Sequence, residues 1–209
     1  MAQITTASQI QPMTHDENIL VVKRSQLFVD GAWQGLKKID FESYIEIINQ
    51  NKEFLPRSIM ENDTTYKQII PYLIFKHIDQ YFLMQRQAKA SEQRLQSKFT
   101  LGIGGHIRHE DLQEGTSIFD WARREFHEEV HYTGNLEIEA IGVLNDDSNE
   151  VGKVHIGFVL LLHGDSANIS VKSELKSGML VSLEGCKSYE DRLESWSKTA
   201  FDFLCNNAS

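Results

Sequence analysis

The densest run of groups able to do chemistry is Arg124-Glu125-Phe126-His127-Glu128-Glu129. On a helix turning about 100° per residue, Glu125 and Glu129 fall nearly on one line, and Glu128 stands about one helical step aside. Ile118, Ala122, Phe126 and Val130 form an i, i+4 apolar stripe touching that line. The solvent arc falls to Ser117, Asp120, Arg123, Arg124, His127 and His131. Three carboxylates therefore stand beside a buried seam, where they are costly unless something positive meets them. A hard divalent cation answers that need, since Mg²⁺ uses few carboxylates and completes its shell with water and substrate phosphate. The plainer reading is a charged helix with Arg124 and Glu128 as an i, i+4 pair. The upstream Gly104-Gly105 and the placement of the acids weigh against it.

The stretch resembles the Nudix box, Gly-x5-Glu-x7-Arg-Glu-U-x-Glu-Glu-x-Gly-U, where U is bulky and apolar. Arg124, Glu125, Phe126, Glu128 and Glu129 match in register, and Gly104-Gly105 resemble the glycine pair that opens the box. The pattern departs in three places. Gly105 to Arg124 is about five residues longer than the family spacing, so HEDLQEG reads as a loop insertion; Thr116 stands where the first Glu would be; and His131 replaces the terminal Gly, with Tyr132 as the bulky residue after it.

The resemblance implies an α/β (α+β) fold, a Nudix-type α/β/α sandwich with a mixed sheet, over residues 66–209. It implies a metal-dependent hydrolase that cleaves a phosphoanhydride bond in a nucleoside diphosphate linked to another moiety. Glu125, Glu128 and Glu129 would hold Mg²⁺ or Mn²⁺ with the backbone carbonyl of Gly105. Glu128 is either a third ligand or the residue that deprotonates water, and Arg124 orients it by a forked salt bridge. The family often takes a general base from outside the box. Glu150 leads the candidates here, with Asp147 and His155 beside it.

Other functions stay open. Thr116 and His131 could mark a catalytically weak or inactive nucleotide-binding sensor. An isoprenoid-diphosphate isomerase would need a Cys and a Glu across the substrate, and Cys186 and Cys205 are distant from the box in sequence. His127-Glu128-Glu129-Val130-His131 also fits the zinc-protease pattern H-E-x-x-H. Its histidines would share the solvent arc, and the plain reading is two surface residues.

The remaining elements must position these groups. Ile19–Val22 reads as a strand, and Asp40 as the N-cap of a helix through about Lys52. Residues 16–65 form an extension packed on the main domain, with a substrate lid or dimer surface as the alternative; Arg57, beside a short turn, could meet a phosphate. Residues 68–76 form a strand in which Pro71 argues for an edge or a bulge. Tyr81–Gln85 is the next strand. The polar loop 86–99 carries Arg86, Lys89, Arg94 and Lys98, of which Arg86, Arg94 and Lys98 are the candidate phosphate clamp. Strands are expected at 100–104, 136–144 and 154–162, with a loop at 145–153. One or two more follow in 170–183, then a helix from Glu184 with Leu193, Trp196, Ala200, Phe201 and Leu204 at apolar spacing.

The 209 residues are 41% hydrophobic with a net charge of −9. That balance disfavours a nucleic-acid polymer, which needs phosphate-neutralising cations, but not a small nucleotide met through a metal. No apolar run reaches membrane-spanning length. Two cysteines without framework spacing suggest free thiols in the cytoplasm. Residues 1–15 lack the features of a signal peptide and are expected to form a mobile tail. A homodimer fits the resemblance.

Overall fold

The computed structural model describes residues 16–86, 98–113, 115, 117–172 and 175–207. The N-terminal tail, Lys89, Arg94 and Thr116 lie outside the described residues.

The chain begins with β1 (Asn18–Lys23), α1 (Arg24–Leu27), β2 (Gly35–Lys37), α2 (Phe41–Asn51), β3 (Glu53–Pro56) and α3 (Arg57–Met60). Next come β4 (Tyr66–His77), β5 (Gln80–Arg86), β6 (Phe99–Thr100), β7 (Gly102–Gly104) and α4 (Ile118–Glu129). The rest is β8 (Val130–His131), β9 (Leu136–Asn145), α5 (Glu150–Val154), β10 (His155–Gly164), β11 (Ser170–Val171), β12 (Leu175–Ser182), α6 (Leu183–Cys186) and α7 (Ser195–Asn207).

Ten of the described strands form one mixed sheet, ordered β12-β5-β4-β10-β9-β2, with β1 and β7 also on β4. β4 and β10 run parallel at its centre, from His155 opposite Gln68 to His163 opposite Lys76. Alternation along β4 sends Tyr72 and Ile74 to one face, against Ala200, Phe201 and Leu204 of α7. Leu73 and Phe75 go to the other, against Ala122 and Phe126 of α4. The period of two is the pleat itself. Helices cover both faces, and the architecture is the α/β/α sandwich expected.

Pro71 is not on an edge strand. It lies opposite Phe158 in the centre of the sheet. On its other side, β1 stops pairing at Gln68 and β7 starts at Tyr72, so the proline falls in a gap of that ladder where its missing N–H costs nothing. The strand expected over 100–104 breaks at Leu101, whose amide donates to Ser197 Oγ at 2.9 Å instead. The loop at 145–153 ends in a helical turn, α5, capped by Asn149. The helix expected from Glu184 comes in pieces, α6, a 3₁₀ turn over Lys187–Arg192 and α7.

The N-terminal segment is woven into the sheet. β1 pairs with β4 and β3, and β2 pairs with β9. The helix expected after Asp40 is α2, with the Asp40 carboxylate accepting from the Ser43 amide.

Candidate active site

Helix α4 starts on a reciprocal capping box. The Ser117 side chain accepts from the Asp120 amide, and the Asp120 carboxylate accepts from the Ser117 amide. Ile118, Ala122, Phe126 and Val130 are all buried, as the stripe required. The helix ends at Glu129. His131 lies in β8, opposite Ser170, so His127 and His131 share no helix face. Both are exposed, and the zinc-protease reading falls away.

Arg124 does not belong to the solvent arc, being only 14% exposed. Its Nη1 donates to Glu128 Oε1 at 2.7 Å and its Nη2 to Asp111 Oδ2 at 3.0 Å. Asp111 is buried in a 3₁₀ turn over His109–Gln113, inside the segment read as an insertion. It also accepts from the Arg108 amide at 2.7 Å and from Arg108 Nη2 at 3.1 Å. The guanidinium is thus clamped between a buried loop carboxylate and the Glu128 carboxylate, which is half in solvent.

Glu125 lies behind Gly105. A Cβ on that glycine would stand 2.1 Å from the Glu125 carboxyl carbon, so the glycine is what lets this carboxylate lie against the backbone here. Burial, with the charges of Glu128 and Glu129 adding to it against Arg124, pushes the Glu125 carboxyl up to about 7. Two arginines face these acids: Arg124 Nη1 is 3.6 Å from Glu125 Oε2, and Arg108 Nη2 is 3.9 Å from Glu128 Oε1.

Beside Gly104-Gly105 opens a cavity of about 480 Å³. Its walls carry Arg86, Lys98, His106, His155 and Trp196. A small recess next to it is lined by Glu129, Arg86 and Gly104. Arg86 therefore reaches both, with its Nε donating to Glu194 Oε1 at 2.8 Å. Trp196 packs edge-on to Tyr72, with ring centroids 5.5 Å apart.

The three candidate bases outside the box fare differently. Glu150 is 85% exposed, pairs with Lys153 and is not among the lining residues. Asp147 is held by Arg24, by Asn145 and by Lys67 Nζ at 2.8 Å, which keep its carboxyl well below the usual range. His155 lines the cavity beside His106. Burial holds both imidazoles neutral; that of His106 falls to about 3, with Arg57 and His155 contributing. Cys186 is buried in the core and Cys205 is exposed on α7; neither lines the cavity.

No family model matches the chain. Protein YmaB of Bacillus subtilis (strain 168) is 34% identical to it over 205 residues, covering 90% of this chain and 98% of the relative. The crystal structure of Tm1382, a candidate Nudix hydrolase, aligns with a TM-score of 0.77 at 30% identity, covering 91% of this chain and 99% of that one. The chain belongs to the Nudix hydrolase family. More distant members share the fold. The Nudix domain of Shewanella oneidensis NrtR, solved with ADP-ribose, has a TM-score of 0.54 at 10% identity over 68% of this chain and 89% of its own.

As a Nudix hydrolase the protein has a box less altered than Thr116 suggests. Counting forward from Gly105 instead of back from Arg124, Gly-x5 leads to Asp111, the carboxylate that meets Arg124. The extra residues therefore lie between Asp111 and Arg124. That count was available in the sequence. Trp196 was legible only as a core aromatic, and His106 carried no signal.

Proposed function

We propose that the protein is a divalent-metal-dependent hydrolase of a nucleoside diphosphate linked to a second moiety. The observation that carries this reading is the shared opening: the Gly104-Gly105 step backed by Glu125, the recess lined by Glu129, and a cavity walled by Arg86, Lys98 and Trp196 all adjoin. The donor set fits Mg²⁺ or Mn²⁺, because carboxylates on one helix and a close backbone carbonyl are oxygen ligands, and a cation would offset the cost of burying the Glu125 charge. Glu125, Glu128, Glu129 and the Gly105 carbonyl would hold the ion. When bound, it would polarise a phosphoryl oxygen and make water more acidic.

The chain's own groups do the rest. Arg124 orients the Glu128 carboxylate, whose exposed position suits it to take the proton of an attacking water. Arg86 and Lys98 bind the diphosphate as the clamp. Trp196 offers a face to a nucleobase, as aromatic side chains do for flat rings. Glu150, turned to solvent, takes no part in this scheme. The ADP-ribose bound by the NrtR domain belongs to the same chemical class and is a natural first substrate.

The test is a product-release assay over nucleoside triphosphates, nucleotide sugars, dinucleoside polyphosphates, ADP-ribose, NADH and coenzyme A, each with Mg²⁺, Mn²⁺ or EDTA. Metal-dependent product is expected from one class, with Glu128→Gln and Glu129→Gln each lowering turnover at least about 100-fold. No product from any of them would leave a nucleotide-binding module.

A further inference from the structure

Glu61 directly follows α3, His106 directly follows Gly105, and His155 opens β10. One ligand atom from each lies within 4.8 Å of the others. The Nε2 atoms of His106 and His155 are 3.3 Å apart. Two nitrogens bound tetrahedrally to zinc at about 2.0–2.1 Å would stand about 3.3 Å from each other.

The His155 tautomer supports the match. His155 Nδ1 lies 2.7 Å from the Val151 carbonyl, which can only accept, so Nδ1 carries the proton and the Nε2 lone pair faces His106. A backbone carbonyl on the far nitrogen is how metal-bound histidines are held. Gln68, buried on β4, donates from its Nε2 to the Met60 carbonyl at 3.1 Å. That fixes its Oε1 as an acceptor 2.6 Å from His106 Nε2, so in the metal-free chain this nitrogen donates its proton to Gln68, and an ion binding here would shift the proton to Nδ1 and take the Nε2 lone pair. Arg57 Nε donates to Glu61 Oε1 at 3.1 Å, which orients the carboxylate while its second oxygen keeps lone pairs to offer.

We propose that Glu61, His106 and His155 form a second metal site, distinct from the box carboxylates, for a divalent transition metal, with zinc first. Two imidazoles and a carboxylate select the borderline ions over Mg²⁺, which wants oxygen alone. Both histidines line the 480 Å³ cavity, so an ion there keeps a side open to what enters it. It would present a positive centre to an anionic group in the same space that holds Arg86 and Lys98. The assignment concerns ion binding and stands apart from the reaction proposed above.

The full chain, stripped with chelator, is dialysed against zinc alone, and bound metal is counted for wild type, His155→Gln, Glu61→Gln and Glu129→Gln. The expected result is one zinc per chain in wild type and in Glu129→Gln, with affinity at least about 10-fold weaker in His155→Gln and in Glu61→Gln. Zinc that follows Glu129, or that ignores the His155 change, overturns the proposal. Cobalt(II) on the wild-type protein gives a reading that needs no variant. A visible band of a four- or five-coordinate nitrogen-bound ion supports the site, and only the faint spectrum of an all-oxygen octahedral ion rejects it.

Discussion

Asp111 and Arg124 meet at 3.0 Å across the join between the box loop and the box helix, with both side chains largely out of water. The contact ties three things together, because Arg108 holds the other Asp111 oxygen and Arg124 passes on to Glu128. Removing Asp111 takes the shared buried partner from two arginine head groups, Arg124 and Arg108. Asp111→Ala should cost about 3 kcal/mol of stability, read from urea midpoints. It should also lower kcat about 10-fold with KM little changed, because the effect reaches catalysis through the orientation of Glu128. Asp111→Glu should recover part of kcat. Stability lost with kcat intact would make the contact purely structural.

At Gly105 an added methyl group would run into the Glu125 carboxylate. With a Cβ placed 2.1 Å from the Glu125 carboxyl carbon, either the loop or the carboxylate must move. Gly105→Ala should weaken Mg²⁺ or Mn²⁺ activation and reduce turnover about 10- to 100-fold. Titrating activity with metal separates the two effects. A wild-type metal curve in this variant would show that the step does not shape the ion site.

Most of the fold was readable because periodicity reports burial. β4 was legible as an unbroken apolar run because both of its faces are buried, and the α4 stripe is a direct print of the helical turn. Pro71 misled because local chemistry could not show that β1 and β7 leave a gap beside it. The box acids were legible from spacing, whereas Arg124 looked exposed because its partner Asp111 sits on a loop segment. Residues assembled from distant segments were harder to find. Lys67 is fully buried in β4 and is met by Asp147 from 80 positions away. His106 and His155 are 49 positions apart and touch only because β10 lies parallel to β4.

Trp196 should govern binding rather than chemistry. Its ring lies over Gly157, where a Cβ would come within 2.8 Å of it, and edge-on to Tyr72, so its orientation is fixed before substrate arrives. Base–aromatic stacking contributes about 1–3 kcal/mol. Trp196→Ala should therefore raise KM about 10-fold or more for a nucleotide substrate and leave kcat within about 2-fold, with Trp196→Phe in between. An unchanged KM would move the base elsewhere in the cavity.

Acid stability should report on Asp147. Arg24 holds its carboxyl below the ordinary range first, and Lys67 and Asn145 add to it while burial opposes them. A carboxyl depressed on folding contributes stability that is fully present above about pH 5, and that contribution fades as pH falls through its unfolded value of about 3.9 toward the folded one. Asp147→Asn removes the counter-charge of Lys67, whose ammonium is fully buried and otherwise has the carbonyls of Gly152 and His155 at 2.7 and 3.1 Å. The variant should be less stable by about 3 kcal/mol near pH 7. Its urea midpoint should also fall less than that of wild type between about pH 5 and pH 3, so that the two curves converge in acid. Parallel curves over that range would show that the carboxylate titrates no differently folded and unfolded, and that the Arg24–Asp147–Lys67 cluster adds no charge-dependent stability.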